Sequence, residues 1–314
     1  MKQIETERMK PGNAETNPVE GTVYWNPVKS IWYSFHALVA VVTVPFFFDW
    51  KAASVCGALT VVTLCCGHSV GLHRLLIHRS WKAPLWLEHL LVYLGTLVGM
   101  GGPFGMIRLH DIRDWSQRHD ACHPFFIHKA GIVRDWFWNL HCGIRLTYPP
   151  QFTIEEEVAN DRFYRFLQRT WMAQQLPLAI LLFFAGGWTW VAWGISVRIF
   201  LSLSGHWLIG HFAHNSGDRD WHLHNNAVQG YNLRHLGLLT MGESWHNNHH
   251  AYPESARLGF TGAQADPGWM FIRCLIWVGL ASEVKTPENL PFRKEREWIA
   301  SPRKPGRNLV TGVE

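Results

Sequence analysis

Residues 52–78, AASVCGALTVVTLCCGHSVGLHRLLIH, decide how this chain must fold. No charged residue occurs from Ala52 to Leu72, and a helix needs roughly 20 apolar residues to cross the hydrocarbon core of a bilayer. Another uncharged run, from Ile31 to Phe48, comes just before it and is separated from it only by the segment DWK. The sequence therefore predicts two membrane-spanning helices, at about 31–49 and 52–72, joined as a tight hairpin.

A second hydrophobic region runs from Thr170 to Ala213, and Arg198 is its only charged residue. Gly186 and Gly187 stand midway and can turn the chain, which predicts spans at 170–187 and 189–213. Every Lys and Arg other than Lys51 and Arg198 then falls outside the two hairpins. Because positively charged loops stay on the cytoplasmic side, both termini and the central segment are expected there.

These patterns predict an all-α membrane protein with four transmembrane helices and a helical cytosolic cap. Residues 25–290 would form the membrane domain, with the cap built from residues 73–169 and 214–290, between polar tails at 1–24 and 291–314. A content of 47% hydrophobic and 17% charged residues excludes intrinsic disorder. The net charge of +5 comes without a basic stripe, so membrane lipids rather than nucleic acid are the expected partners.

Histidine is the residue type that points to chemistry: the chain has 19, and all except His36 lie between positions 68 and 250. Neutral imidazole is the commonest protein ligand for iron, copper and zinc. Ligands on one helix converge at spacings of three or four, as in the sets His246/His249/His250, His119/His123 and His211/His214. His73 and His78 are five apart, so they converge only where a helix is distorted or ends.

Alternatively, these histidines are structural residues that only form hydrogen bonds. For the pairs His73/His78 and His211/His214, each taken alone, a structural role and a metal-ligand role fit the sequence equally well. All four sets, however, emerge on one side of the predicted membrane domain. Together they offer roughly eight ligands, twice what a four-coordinate structural zinc uses. The pattern therefore indicates a dimetal site in the cytosolic cap.

Three segments in this order, GLHRLLIHRSWKAP (71–84), RHDACH (118–123) and GESWHNNHHAYPESARLG (242–259), resemble the three histidine boxes of the integral-membrane fatty acid desaturases, particularly the Δ9 type. The resemblance covers residues 30–285. It implies four transmembrane helices under a cytosolic cap that holds two iron ions. It also implies a fatty acyl substrate carried on CoA or lipid, and an external electron donor of the ferredoxin, rubredoxin or cytochrome b5 type.

The resemblance assigns metal-ligand roles, and no other catalytic or cofactor-binding residues, to eight positions: His73, His78, His119, His123, His214, His246, His249 and His250. The chain also departs from the family pattern. The second box, normally H-x-x-H-H, has Cys122 at a ligand position, and Gly210 replaces an Asn that the family links to one iron through water. Cys122 is then either a thiolate ligand or a buried thiol, His211 could replace the Asn, and His110 or His128 could complete the second box.

The expected function is O2-dependent desaturation of a saturated acyl chain, with a cis double bond at Δ9. Removing hydrogen from an unactivated methylene exceeds the power of side-chain acids and bases, so a redox metal has to supply the chemistry. A membrane hydroxylase acting on an alkane, fatty acyl or sterol-like substrate is the alternative, because ligand counting does not separate the two reactions. A haem-carrying or metal-transporting membrane protein is disfavoured, since the histidines cluster outside the predicted spans.

Overall fold

The first two long helices form the predicted hairpin in the computed structural model, which describes residues 7–299. Helix α1 (Pro27–Phe46) begins after Asn26, whose side chain accepts a hydrogen bond from the backbone N–H of Lys29. Helix α2 (Trp50–Ile77) begins after Asp49, whose carboxylate accepts from the backbone N–H of Ala52. An N-cap carboxylate satisfies an otherwise unpaired helix donor. Asp49 therefore explains how the chain restarts a helix within the short DWK turn.

Helix α2 changes its winding halfway: Trp50–Val62 is α-helical and Thr63–Ile77 is π-helical. The π-helical half packs against α3 (Leu85–Leu97) through glycines. A Cβ at Gly67 would overlap the backbone of Leu94 and Gly95, and a Cβ at Gly71 would lie 2.6 Å from the Leu91 carbonyl oxygen. The absence of side chains here lets the two helices touch along their backbones.

The second hydrophobic region is one long helical stretch, Gln175–Asn215, broken in the middle. Helix α9 (Gln175–Val191) contains non-helical backbone at Gly186 and at Gly187, whose φ of +70° favours glycine. A π-helical turn, Ala192–Val197, then leads into α10 (Arg198–Asn215). The predicted break at the two glycines is confirmed. Within residues 7–299, three helical stretches are long and apolar enough to cross a membrane, where the sequence predicts four spans.

Shorter helices build the rest of the molecule: α4 (Pro103–Gln117), α5 (Pro124–Ile127), α6 (Ile132–His141), α7 (Glu156–Asn160), α8 (Arg162–Thr170), a 3₁₀ turn (Arg234–Leu236), α11 (His246–Ala251) and α12 (Pro267–Trp277). The fold is mostly helical, as predicted. It also contains three two-stranded antiparallel ribbons that the hydrophobic pattern did not indicate: β1 (Met9–Lys10) with β4 (Gln151–Phe152), β2 (Gly21–Trp25) with β3 (Cys142–Leu146), and β5 (Trp221–Leu223) with β6 (Arg296–Trp298).

The ribbons tie both expected tails to the body of the protein. Within the predicted 1–24 tail, Arg8 and Met9 are buried, and Arg8 donates hydrogen bonds to the carbonyls of Leu76 and Ile77 at the end of α2. Within the predicted 291–314 tail, β6 pairs with β5, while residues 300–314 lie outside the described part of the chain. The described ends of the chain are therefore packed against the rest of the protein.

Two buried arginines link the helices to one another. Arg74 on α2 pairs with Asp266 at 2.8 Å and also donates to the carbonyls of Ala256 and Met241. Arg198, the charge predicted to lie within a span, donates to the carbonyls of Gly194 and Leu97 and to the side chain of Gln175. Each guanidinium thus donates to several acceptors, which makes its burial tolerable.

Candidate metal centre

Two groups of imidazoles lie where the predicted cap meets the long helices. His73, His78, His110 and His249 form the first histidine group, and their nearest ligand atoms all lie within 4.8 Å of one another. His214, His246 and His250 form the second histidine group, within the same limit. Six of these seven histidines are among the eight ligand candidates from the sequence, and His110 is one of the two alternatives considered for the second box.

The π-helix explains why His73 and His78 meet despite their spacing of five. The backbone N–H of His78 donates to the carbonyl of His73 at 3.0 Å, which is the i to i−5 bond of a π-helix. The two ring centroids are consequently 4.8 Å apart. The sequence predicts that these two histidines converge only if the helix is distorted or ends there. In the structure the helix is π-helical and ends at His78.

His110 on α4 brings the first group to four imidazoles, with its Nε2 only 3.3 Å from Nε2 of His78. This position offers a second location for the second box, which the sequence places at residues 118–123. Counted from His110, the H-x-x-H-H pattern reads His110-Asp111-Ile112-Arg113-Asp114, so Arg113 and Asp114 stand where the pattern has two histidines. Because both of these histidines are replaced, histidine spacing in the sequence does not indicate a motif at His110.

His119 and His123 are not brought into any of the metal-ligand clusters found in residues 7–299. The Nδ1–H of His119 donates to the carbonyl of Trp115 at 2.8 Å, and Nδ1 of His123 accepts from the backbone N–H of Phe125 at 3.1 Å. Cys122 packs beside Phe125 in an apolar cluster, and burial raises the pKa of its thiol to about 12. These three residues occupy structural positions next to the centre.

Helix α11 divides the third box between the two groups. His249 points to the first group, whereas His246 and His250 point to the second, so the expectation that all three face one point is wrong. The intervening asparagines fix the helix. Asn247 accepts from the backbone N–H groups of Asp220 and Trp221, and Asn248 donates to the carbonyl of Leu258. The box therefore presents its histidines from one rigidly held turn to both sites.

Acceptor oxygens on the far side of two rings favour a proton on the nitrogen that faces away from the centre. Nδ1 of His73 lies 2.7 Å from a carboxylate oxygen of Glu243, and Nδ1–H of His214 donates to the Gly210 carbonyl at 2.6 Å. A proton on Nδ1 leaves the lone pair on Nε2, the usual arrangement in metal-ligating histidines. With the proton on Nδ1, Nε2 of each ring is an acceptor, and Nε2 of His214 also lies 3.1 Å from the Gln117 amide nitrogen.

A third cluster, His128, Asp135 and His211, lies beside the second group and is fully buried. One carboxylate oxygen of Asp135 accepts from Nδ1–H of His128 at 2.9 Å and from Nδ1–H of His211 at 3.0 Å. Burial lowers the pKa of the His128 imidazole to about 4, although Asp135 opposes this shift. His128 and His211, both considered from the sequence as substitutes, thus share one anionic partner.

Burial also keeps the ligand imidazoles neutral. It lowers the pKa of His78, His246, His249 and His250 well below the ordinary range, and neighbouring imidazoles add to the effect. His110 differs: burial lowers its pKa, but Asp114 and Asp111 outweigh burial and raise it overall. Because only the neutral ring offers a lone pair to a metal, most of the cluster is ready to bind without losing a proton.

The donor set fits metal binding. In the second group, Nε2 of His246 lies 3.1 Å from Nε2 of His214 and 3.0 Å from Nε2 of His250. A metal–imidazole bond of about 2.1 Å puts ligand nitrogens at right angles about 3.0 Å apart. In the first group, Nδ1 of His110 and of His249 are buried with no hydrogen-bond partner in the described chain. The close approach of imidazole nitrogens in both groups suits a cation, and Glu243, Asp111 and Asp114 are the acids beside the first group.

Polar cavities open beside both groups. One of about 290 Å³ is lined by His78 together with Asp114, Arg118 and Arg293. A smaller one, which shares Asp114, Arg118 and Arg293, is lined by His249 and His250. The larger cavity therefore reaches His78 of the first group.

Curated proteins resemble this chain over most of its length, although no family model matches it. It is 35% identical over 260 residues to the sn-1 stearoyl-lipid 9-desaturase of Synechocystis sp., covering 81% of this chain and 78% of the relative. It is 33% identical over 273 residues to Delta-9 acyl-lipid desaturase 2 of Arabidopsis thaliana, with 83% of each chain covered.

A third relative acts on a different carrier by name: the acyl-CoA C20 Delta5-desaturase of Anemone leveillei is 32% identical over 258 residues, covering 80% of this chain and 79% of the relative. Identity of this level over about four fifths of the chain goes beyond a shared motif. The chain belongs to the fatty acid desaturase family.

Proposed function

We propose that this desaturase introduces a cis double bond at the Δ9 position of a saturated fatty acyl chain, with two iron ions at the two histidine groups. The observation that carries the proposal is the pair of adjacent groups, built on the same helix turn of the third box. The Δ9 position rests on the names of relatives such as the stearoyl-lipid 9-desaturase of Synechocystis sp.. Other relatives carry Δ5 and Δ7 names, so the position needs direct measurement.

His73, His78, His110 and His249 would hold one ion, and His214, His246 and His250 the other. Iron would supply the oxidising power for cleaving unactivated C–H bonds with O2, which no side chain supplies. The chain's own residues orient the imidazoles: Glu243 faces Nδ1 of His73, and the Gly210 carbonyl accepts from Nδ1–H of His214. Burial keeps most of these rings neutral, while His78, His110, His246 and His250 stay partly exposed.

Four spans and a cytoplasmic cap are part of the same proposal. The break at Gly186 and Gly187 divides a 41-residue apolar stretch that, at about 1.5 Å per residue, is twice as long as a bilayer core requires. The distribution of Lys and Arg supports a cytoplasmic location of both termini and of the centre. Residues 25–290 would then form the membrane domain, with the cap from 73–169 and 214–290.

The electrons would come from a separate redox protein of the ferredoxin, rubredoxin or cytochrome b5 type. Both polar cavities are lined by Arg118, Arg293 and Asp114, and they lie close to His78 and His250. A carrier docked over them would be near both groups.

Fatty-acid profiling of a desaturase-deficient host that expresses the chain tests the function. We expect a new monounsaturated acid, with its double bond at Δ9 by mass-spectrometric localisation, and none from His249→Ala, which removes a first-group imidazole. A double bond at another carbon would contradict the Δ9 position alone. A hydroxylated product would contradict desaturation, and equal product from His249→Ala would contradict the ligand assignment.

A further inference from the structure

The side chain of His128 has a buried nitrogen atom, Nε2, without a hydrogen-bond partner in the described chain. The residue is 1% exposed. Its backbone is left-handed, with φ of +54° and ψ of +25°, a conformation that costs energy for a residue with a side chain. A strained backbone and an unpaired buried nitrogen both need compensation, which this imidazole does not find among its present contacts.

Asp135 holds the His128 ring in one orientation. Its Oδ2 accepts from Nδ1–H of His128 at 2.9 Å and from Nε1–H of Trp207 at 2.8 Å, and its Oδ1 accepts from the Asn139 amide at 2.9 Å. With the proton of His128 on Nδ1, the lone pair lies on Nε2. A carboxylate bonded to the far nitrogen of an imidazole is the usual support of a metal-ligating histidine.

The free edge of the ring occupies the space beside Gly210. A Cβ at Gly210 would lie 3.4 Å from both Cε1 and Nε2 of His128. The His128 ring also stacks on His214 of the second histidine group, with centroids 5.1 Å apart and an interplanar angle of 18°. His128 therefore fills the place of the side chain that is missing at position 210, next to the second group.

The second group is also the one that lacks a ligand. It has three imidazoles where the first has four. Arg113, which replaces a histidine of the second box, donates to the Asn139 side chain and has no lone pair for a metal. The structure thus combines a site short of one donor with an unpaired donor beside it.

We propose that Nε2 of His128 is the fourth nitrogen ligand of the second metal site, that Asp135 positions it, and that it takes the place of the side chain absent at Gly210. The proposal rests on the two-metal function proposed above. A separate ion among His128, Asp135 and His211 is disfavoured, because three N–H donors already converge on Oδ2 of Asp135.

Ferrous iron bound per purified chain, measured by elemental analysis after anaerobic loading, tests the proposal. We expect two ions in the wild type and one in His128→Ala. His128→Asn distinguishes loss of the ligand from misfolding. Asn tolerates the left-handed backbone conformation at this position, but its side chain is shorter than that of histidine, so we expect it also to bind one ion. His141→Ala is the matched control, because His141 is also buried with an unpaired Nε2 but lies among Tyr33, Trp136 and Phe137; we expect it to keep two ions.

Substitutions at Asp135 and Gly210 test how the His128 ring is positioned, independently of whether the protein folds. Asp135→Asn should weaken the affinity for the second ion by about 10- to 100-fold and leave the first unchanged. Gly210→Asn should lose the second ion, because its side chain collides with the His128 ring, and Gly210→Asn combined with His128→Ala should relieve the collision and regain binding.

Two ions of wild-type affinity in both His128→Ala and His128→Asn would overturn the proposal. So would a third ion in the wild type that His211→Ala removes. Fewer than two ions in the wild type would contradict the two-metal function itself, a result distinct from failure of the His128 assignment.

Discussion

The ligand imidazoles depend on residues that are themselves not histidines. Glu243 contacts His73 while accepting from the Ser69 hydroxyl, and Asp135 holds His128 and His211. Such partners set which nitrogen carries the proton and therefore which one is available to a metal. In the altered second box, Arg113 and Asp114 replace two histidines and so remove two nitrogen ligands. The proposed ligand His128 supplies one nitrogen from outside the motif.

The first prediction separates the two locations of the second box. His110→Ala should reduce desaturation at least 100-fold and lower the iron content, because it removes one of four first-group imidazoles. His119→Ala should keep at least half of the activity, since its ring is bonded to the Trp115 carbonyl outside both groups. Product formation and iron per chain check both variants. Equal loss in His119→Ala would restore the box at 119–123.

The second prediction concerns Glu243. Glu243→Gln keeps the size of the side chain but removes the charge beside Nδ1 of His73, so the ring is held less firmly and its basicity falls. We expect iron affinity at the first group to fall by about 10- to 100-fold. Glu283→Gln, which removes a partner of Lys82 on the surface, is the control and should bind iron normally. An iron affinity of Glu243→Gln equal to that of the wild type would contradict the role of Glu243 in orienting His73.

At the scale of elements, two helices set the geometry of the centre. The π-helical half of α2 aligns His73 with His78, and α11 shares its three histidines between the groups. π-helical turns occur mainly at functional sites because they are less stable than α-helix. Here the close packing of α2 on α3 at Gly67 and Gly71 compensates for that cost.

The third prediction tests this packing. Gly71→Ala places a Cβ 2.6 Å from the Leu91 carbonyl oxygen and should destabilise the protein by about 1–3 kcal/mol. Gly57→Ala lies earlier on the same helix with no atom within 4 Å of its Cβ, and should be neutral or stabilising. Thermal unfolding in detergent compares the two. Equal melting temperatures would show that the backbone contact is not needed.

For the whole molecule, the sequence was sufficient for the apolar helices, the break at Gly186 and Gly187 and most of the first and third boxes. These features are local: they depend on runs of hydrophobic residues and on histidine spacing. His110 and His128 were only alternatives in the sequence analysis, because their neighbours are distant along the chain. The motif that begins at His110 had in addition lost its other histidines. The ribbons that join the chain ends to the cap are likewise set by distant partners, such as Met9 with Phe152.

The fourth prediction concerns the link between the helix of the first box and the later part of the cap. Arg74 and Asp266 form a buried pair with side-chain exposures of 1% and 3%. Removing one partner of such a pair leaves an uncompensated charge, so Asp266→Ala should cost about 3–5 kcal/mol. Lys285→Ala, which breaks the exposed pair with Glu254, should cost less than about 1 kcal/mol. Detergent unfolding measures both, and a small effect of Asp266→Ala would refute the link.

The last prediction tests the arrangement of this membrane-embedded oxidoreductase across the bilayer. If both hairpin turns face away from the cytoplasm, Lys51→Cys and Trp188→Cys should react with a membrane-impermeant maleimide in intact cells. Trp188 is 76% exposed, so a thiol there is accessible. The exposed native Cys274, on α12 of the cap, should react only after permeabilisation. Labelling of Cys274 in intact cells would invert the topology, whereas failure of Trp188→Cys alone would mean that the Gly186–Gly187 break is a kink within a single membrane-associated helix.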